Sequence, residues 1–322
     1  MKLGTVGTSW ICKAFISAAQ YAGGYELHTA YSRNKENARK FAEEQGFSNA
    51  CSDLVHMAGS DIEAVYIASP NRFHYEQSRF FLEHGIHVIC EKPATTTMAE
   101  EQELIELAEK NGLIYTEAIM SLHVPAFDIL CREIKNIGRI RTANLVFCQL
   151  SSKYAAYLNN ERPNIFNPEM HAGCLMDIGV YNIYLAAALF GKPEKIISDS
   201  LFLDSGADAC GTAILRYKDF SANLIYSKVG QNYSPSEIIG DEGTVAIASI
   251  SQLTGIDKIN RMSRTSIVPY EISRTEIMSA EAAFFRDAIE NGTNEKYEFV
   301  KNTSLIVREI TDEIRKQNRF LF

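Results

Sequence analysis

Through the first third of the chain, short apolar runs alternate with stretches whose apolar positions recur at helical spacing. Lys2 to Val6 reads as a strand and Lys13 to Tyr21 as a helix with Ala14, Ile16, Ala18 and Ala19 among its small or apolar positions. Tyr25 to Tyr31 is a second strand, and Lys35 to Gln45 a helix that Gly46 stops. Ala64 to Ala68 and His87 to Cys90 are unbroken apolar runs, the pattern of parallel strands covered on both faces. Between them Tyr75 to His84 is helical and ends at Gly85; Ala99 to Lys110 is another helix, with a strand from Leu113 to Thr116 behind it. This alternation predicts an α/β domain over residues 1–120, a doubly wound parallel sheet.

Beyond residue 120 the rhythm changes. A helix from Ala126 to Lys135 precedes a strand from Arg141 to Leu150, and Asp177 to Phe190 is helical. Strand candidates then follow at 195–203, 210–217, 219–228, 236–240 and 264–271, with turn signals such as Tyr217-Lys218-Asp219 at hairpin distance. The chain closes with helices at Ser279 to Glu290 and Glu298 to Gln317. Residues 121–322 are therefore expected to form an α+β domain with a large, mostly antiparallel sheet, its terminal helices free to pack back on the first domain. Both faces of that sheet carry apolar residues, which predicts a homodimer or homotetramer formed through it.

Composition narrows the class of protein. The 322 residues carry 32 basic and 40 acidic side chains, a formal charge of −8, and contain no basic block, so nucleic acid is not the expected partner. The longest apolar stretch, about Leu185 to Phe190, is far shorter than a membrane span, and the first residues lack the apolar core of a secretory signal; a soluble, cytoplasmic protein is expected. Seven cysteines lie far apart with no Cys-x-x-Cys pair, which predicts buried free thiols and no metal site.

The candidate chemistry lies at strand ends and at one helix start. Gly7-Thr8-Ser9-Trp10-Ile11 follows the first strand and opens a helix, a context in which backbone N–H groups and the helix dipole attract a pyrophosphate. Ser32-Arg33 ends the second strand with no carboxylate to pair with a ribose 2′-hydroxyl, while Arg33 offers a fork for a 2′-phosphate; NADP is favoured, with NAD as the alternative. Ser69-Pro70-Asn71, with His74, closes the fourth strand, and Glu91-Lys92-Pro93 the next, at the carboxyl edge where open sheets of this type bind ligands. In the second half Asp177 and Tyr181 lie four apart on one helical face. Taken singly, Tyr181 reads as a core aromatic and Asp177 as a helix-start carboxylate, while Lys92 reads equally as the partner of Glu91 and His74 as a cap. The joint pattern points to chemistry.

That pattern, with Glu117-Ala118-Ile119-Met120 between its halves, resembles the Gfo/Idh/MocA oxidoreductases along the whole chain, and Asn167-Pro168-Glu169 leading to Asp177 and Tyr181 most resembles their dihydrodiol and D-xylose dehydrogenase branch. The resemblance implies a Rossmann domain, a bound nicotinamide dinucleotide and hydride exchange with a sugar, polyol or cyclic alcohol. It makes Lys92 and Tyr181 catalytic, puts Asp177 at the substrate, and sets Asn71, His74 and Glu91 along the nicotinamide-side wall. When the alcohol carbon gives up hydride, its hydroxyl must lose a proton; tyrosine, with an unperturbed pKa of ~10, becomes an adequate base when a cation favours the phenolate. The alternative is a nucleotide-sensing regulatory or scaffold protein of the same fold. Retention of both Lys92 and Tyr181 favours the enzyme.

Overall fold

The computed structural model describes residues 1–322 and divides into two compact units. The first contains Met1–Met120 and Ser273–Asn302, the second Ser121–Ile272 and Thr303–Phe322. The first unit thus takes in residues 273–302 in addition to the stretch that ends at Met120.

In the first unit, β1 (Lys2–Val6), α1 (Trp10–Ala22), β2 (Glu26–Tyr31), α2 (Lys35–Gln45), β3 (Asn49–Cys51), α3 (Leu54–Ala58) and β4 (Ala64–Ile67) lead to α4 (His74–Glu83), β5 (His87–Glu91), α5 (Met98–Lys110) and β6 (Tyr115–Ala118). All six strands are parallel, in the order β3-β2-β1-β4-β5-β6. Strand order reverses between β1 and β4, and the carboxyl ends there open a crevice. The strand residues Val65, Tyr66, Ile67, Val88, Ile89 and Cys90 are completely buried, which accounts for their unbroken apolar runs. Local signals set several helix ends: Asn34 caps α2 by accepting from the Asn37 N–H, and Thr97 and Glu100 form a reciprocal capping box on α5.

The second unit begins with α6 (Pro125–Ile134), β7 (Ile140–Cys148) and α7 (Tyr154–Leu158). A wide π-helical turn, Leu175–Gly179, runs into α8 (Val180–Phe190). Seven strands follow: β8 (Lys195–Phe202), β9 (Asp208–Arg216), β10 (Ser221–Ser227), β11 (Ser236–Gly240), β12 (Thr244–Ser249), β13 (Thr254–Ile259) and β14 (Arg264–Val268). With β7 they form an eight-stranded sheet, β14-β13-β12-β11-β7-β10-β9-β8, antiparallel except where β10 runs parallel to β7. Ala222, Leu224 and Tyr226 of β10 are buried, while Ile225 points to the opposite, open face.

The segment Pro168–Phe190 is apolar and long enough to cross a membrane, yet 78% of its most apolar window is buried, the position of a core helix. After the second unit's sheet, α9 (Arg274–Asn291) packs along α1 within the first unit. The Tyr25 hydroxyl donates to the Ala282 carbonyl at 2.6 Å, and Arg286 donates to the carbonyls of Ala22 and Gly23. The last helix, α10 (Glu295–Asn318), is assigned to the first unit as far as Asn302 and to the second from Thr303. All seven cysteines are free thiols; four are buried, whereas Cys131, Cys148 and Cys210 are only partly covered.

Candidate active site

A groove of about 420 Å³ opens at the carboxyl ends of β1, β2 and β4. It brings together seven of the residues expected from sequence, Gly7, Thr8, Ser9, Ser32, Arg33, Ser69 and Pro70, and adds Tyr31, Ala68, Phe73 and Gln77. Gly7 is required by its backbone: φ is +116°, and a Cβ there would meet the Ala68 carbonyl oxygen at 2.6 Å. Ser9 precedes α1 in an extended conformation and gives it no side-chain cap, so the first turn could offer its N–H groups to an anion. The Arg33 guanidinium lies 5.5 Å from the centre of the Phe73 ring. No acidic side chain lines the groove, which therefore fits a dinucleotide carrying an extra phosphate on its adenosine ribose.

Trp10, largely exposed, and Ile11 start α1 beside this groove without lining it, and Asn71 lies just beyond Pro70 on a short 3-10 turn, Asn71–Phe73. His74 and Glu91 depart from expectation: neither stands on an open wall. His74 is 1% exposed, and its ring joins two loops, Nδ1 lying 2.9 Å from the Pro93 carbonyl oxygen and Nε2 2.6 Å from that of Ser69. Burial pushes its pKa down against the pull of those carbonyls, and a neutral ring donates to only one of them at a time. Glu91 accepts a 2.5 Å bond from the buried Tyr66 hydroxyl, and Tyr66 stacks on Phe15 at 3.8 Å. Burial pushes the Glu91 pKa up, with Lys92 opposing. The next backbone is held as well, because Glu117 accepts from the Ala94 N–H at 3.1 Å. His74, Glu91 and Glu117 thus fix the loop that carries Lys92; the Lys92–Pro93 peptide bond in it is cis.

In the second unit Asp177 lies on the π-helical turn and Tyr181 in the first turn of α8. Tyr181 is nearly buried, its ring edge-on to Phe147 at 5.8 Å. Asp177 forms an ion pair with Lys228, just beyond β10. Three further groups hold this helix start. Asp208 accepts from the Leu175 N–H at 2.6 Å. Gly173, at φ +152°, lets the chain pass that carboxylate; a Cβ there would lie 1.9 Å from Asp208 Oδ1. Asn182 donates to the carbonyls of Leu145 and Ile225 at 2.9 and 3.0 Å, which anchors the residue after Tyr181 to β7 and β10. Lys228, Asp208 and Asn182 were absent from the sequence reading. Their one signal is a polar residue inside or beside an otherwise apolar run.

Burial raises the Asp208 pKa from 3.8 to about 7, with the backbone N–H groups of Leu175 and Cys174 and the Lys228 charge opposing. The folded state therefore holds a proton that the unfolded chain releases near pH 3.8. The resulting stabilisation is complete below that pH and is lost as pH rises to about 7. At full effect it is on the order of 4 kcal/mol, from a rise of about three pKa units at 1.36 kcal/mol each. Asp208→Asn keeps an acceptor for Leu175 but cannot ionise. Its melting temperature relative to the unmutated protein should rise from pH 5 to pH 8, and a difference that stays constant with pH would contradict the assignment.

Residues 1–119 match the oxidoreductase family with an NAD-binding Rossmann fold, and residues 133–246 match the GFO/IDH/MocA C-terminal domain. The scyllo-inositol 2-dehydrogenase (NADP(+)) IolU of Bacillus subtilis (strain 168) is 39% identical over 327 residues, covering 98% of this chain and 97% of that protein. A trans-1,2-dihydrobenzene-1,2-diol dehydrogenase of Oryctolagus cuniculus is 26% identical, over 91% of this chain and 90% of its own. Among solved structures, the 3-ketoreductase KijD10 from Actinomadura kijaniata, bound to NADP and TDP-benzene, superposes with a TM-score of 0.86 at 21% identity, covering 99% and 98% of the two chains. The fold and site define a nicotinamide-dependent oxidoreductase acting on a CH–OH group. The chain belongs to the Gfo/Idh/MocA family.

Proposed function

We propose that this oxidoreductase uses NADP and interconverts a cyclic polyol of the inositol type and the corresponding ketone. The observation that carries the substrate class is the Asp177–Lys228 pair beside Tyr181: a carboxylate balanced by an ammonium accepts hydrogen bonds from neutral hydroxyls without leaving net charge at the site. The 39% identity to a scyllo-inositol dehydrogenase supports the same class ahead of the dihydrodiol class.

The residues of the groove fit the dinucleotide. Gly7 and the start of α1 would hold its pyrophosphate, and Ser32 and Arg33 its 2′-phosphate. When bound, the nicotinamide supplies the hydride acceptor or donor. Tyr181 takes the hydroxyl proton as the carbon–oxygen double bond forms and returns it in the reverse direction. Asp177 orients a neighbouring hydroxyl. Lys92 supplies the cation that favours charge on oxygen. The test is absorbance at 340 nm with NADP⁺ and a panel of inositols, aldoses and open-chain polyols. Turnover with inositols ahead of aldoses is expected; turnover confined to aldoses would redirect the substrate class.

The assembly reading rests on the open face of the second unit's sheet. Ile197, Ile214 and Ile225 lie there on three neighbouring strands, β8, β9 and β10, and all are exposed. A second copy presenting the same row covers it symmetrically. Light scattering is expected to give two or four times the 36.0 kDa chain mass, and a single-chain mass would overturn the reading.

A further inference from the structure

Lys228 stands just beyond the last residue of β10, and its side chain is only 9% exposed. An ammonium is among the groups least often buried, because removal from water costs several kcal/mol unless a partner offsets it. Its partner is Asp177, which it meets through Nζ and Oδ2 while 25% of the Asp177 side chain stays accessible. The lysine backbone is fixed independently, since its N–H donates to the Ala209 carbonyl at 2.9 Å. That carbonyl follows Asp208, the residue that holds the Leu175 N–H at the start of the same helical turn. Two adjacent strands thus clamp one turn: β9 grips its backbone through Asp208, and Lys228 at the end of β10 grips its carboxylate.

We propose that Lys228 is a positioning residue that sets substrate specificity, holding Asp177 as an ionised, singly oriented acceptor for a substrate hydroxyl next to the reacting carbon. The inference rests on the reading of Asp177 as a substrate-binding group. Because Lys228 is nearly covered and Asp177 is reachable, the lysine acts through the aspartate and leaves proton transfer to Tyr181. A charged acceptor discriminates strongly against a substrate that lacks the hydroxyl, since the carboxylate oxygen facing that position then loses the substrate's hydrogen bond. That discrimination is the property Lys228 should control.

The test uses the full-length protein with NADP⁺, scyllo-inositol and a monodeoxy inositol. The unmutated protein should prefer scyllo-inositol by about 10- to 100-fold in kcat/KM. Lys228→Met should raise KM for scyllo-inositol by a similar factor, change kcat by less than about threefold and collapse the preference toward one. Lys228→Arg, which keeps the charge, should retain most of it. The single tryptophan, Trp10, reports NADPH binding by fluorescence, and affinity there should be unchanged. Lys228→Met losing kcat/KM equally for both substrates, or for neither, would overturn the proposal.

Where loss of the ion pair prevents Lys228→Met from folding, Asp177→Asn is compared with the double variant Asp177→Asn/Lys228→Met, which removes both charges of the pair. Equal KM values support action through Asp177, and a further tenfold rise in the double variant overturns it. If Asp177→Asn alone leaves KM and the preference unchanged, the substrate-binding reading of Asp177 has failed, which is a separate result from failure of the Lys228 proposal.

Discussion

Replacing Tyr181 with phenylalanine is expected to lower turnover by about 10²–10⁴-fold, the usual contribution of a positioned acid–base group. The ring stays, so its packing against Phe147 and the buried start of α8 are kept, and only the hydroxyl proposed to take the substrate proton is lost. Cofactor affinity should change little, because the groove that fits the dinucleotide is formed within the first unit. Stopped-flow absorbance at 340 nm separates the chemical step from product release. A phenylalanine variant whose chemical step keeps its rate would remove Tyr181 from the mechanism. Combining the change with Lys92→Met tests whether the two act on one proton transfer: joint action makes the double variant hardly slower than the worse single one.

Arg33→Asp should reverse the choice between the two nicotinamide dinucleotides. The unmutated groove has no carboxylate and holds Arg33 over Phe73, so NADPH should bind more tightly than NADH. Charge-assisted bonds to a phosphate contribute about 1.5–3 kcal/mol, and an aspartate at the same place adds repulsion toward the phosphate and an acceptor for a free 2′-hydroxyl. The ratio of dissociation constants should therefore move by about 10²–10³-fold toward NADH. Titration followed through Trp10 measures both constants on one preparation. Equal constants in the unmutated protein would refute the role given to Arg33.

The parts of the fold visible in the sequence are those where local pattern and tertiary burial agree. Lys2–Val6 and Lys35–Gln45 have the same bounds in both readings, because an apolar run or a Gly46 stop marks each end. β3 is three residues long, with Asn49 and Ala50 exposed, and leaves no hydrophobic signature. The adjacent β12 and β13 were missed because runs such as Val245-Ala246-Ile247 and Thr254-Gly255-Ile256-Asp257 are buried without alternation. The start of α9 was placed too late, although Ser273 caps it through the Glu276 N–H in the usual Ser-x-x-Glu spacing. Nothing in composition marks the return of residues 273–302 to the first unit, since no linker separates them from the preceding sheet.

The site divides in the same way. Residues at strand ends and helix starts, from Gly7 to Tyr181, stand in motifs whose order is readable. Lys228 and Asp208 come from separate strands and meet the Asp177 turn only when the second sheet forms, so no spacing in the chain relates them. His74 and Glu91 were expected along the nicotinamide-side wall; their buried bonds to Ser69, Pro93 and Tyr66 are contacts that position in the sequence does not show.

Direct hydride transfer between a polyol carbon and NADP is the step on which the proposed roles of Tyr181, Asp177 and Lys92 depend. Incubation with NADP⁺ and scyllo-inositol deuterated at its ring carbons, followed by mass analysis of the reduced cofactor, tests it most directly. NADPH carrying one deuterium is expected, formed in step with the inosose ketone. Tight NADPH binding with no labelled cofactor from any inositol or sugar would contradict it and leave a nucleotide-binding protein without turnover.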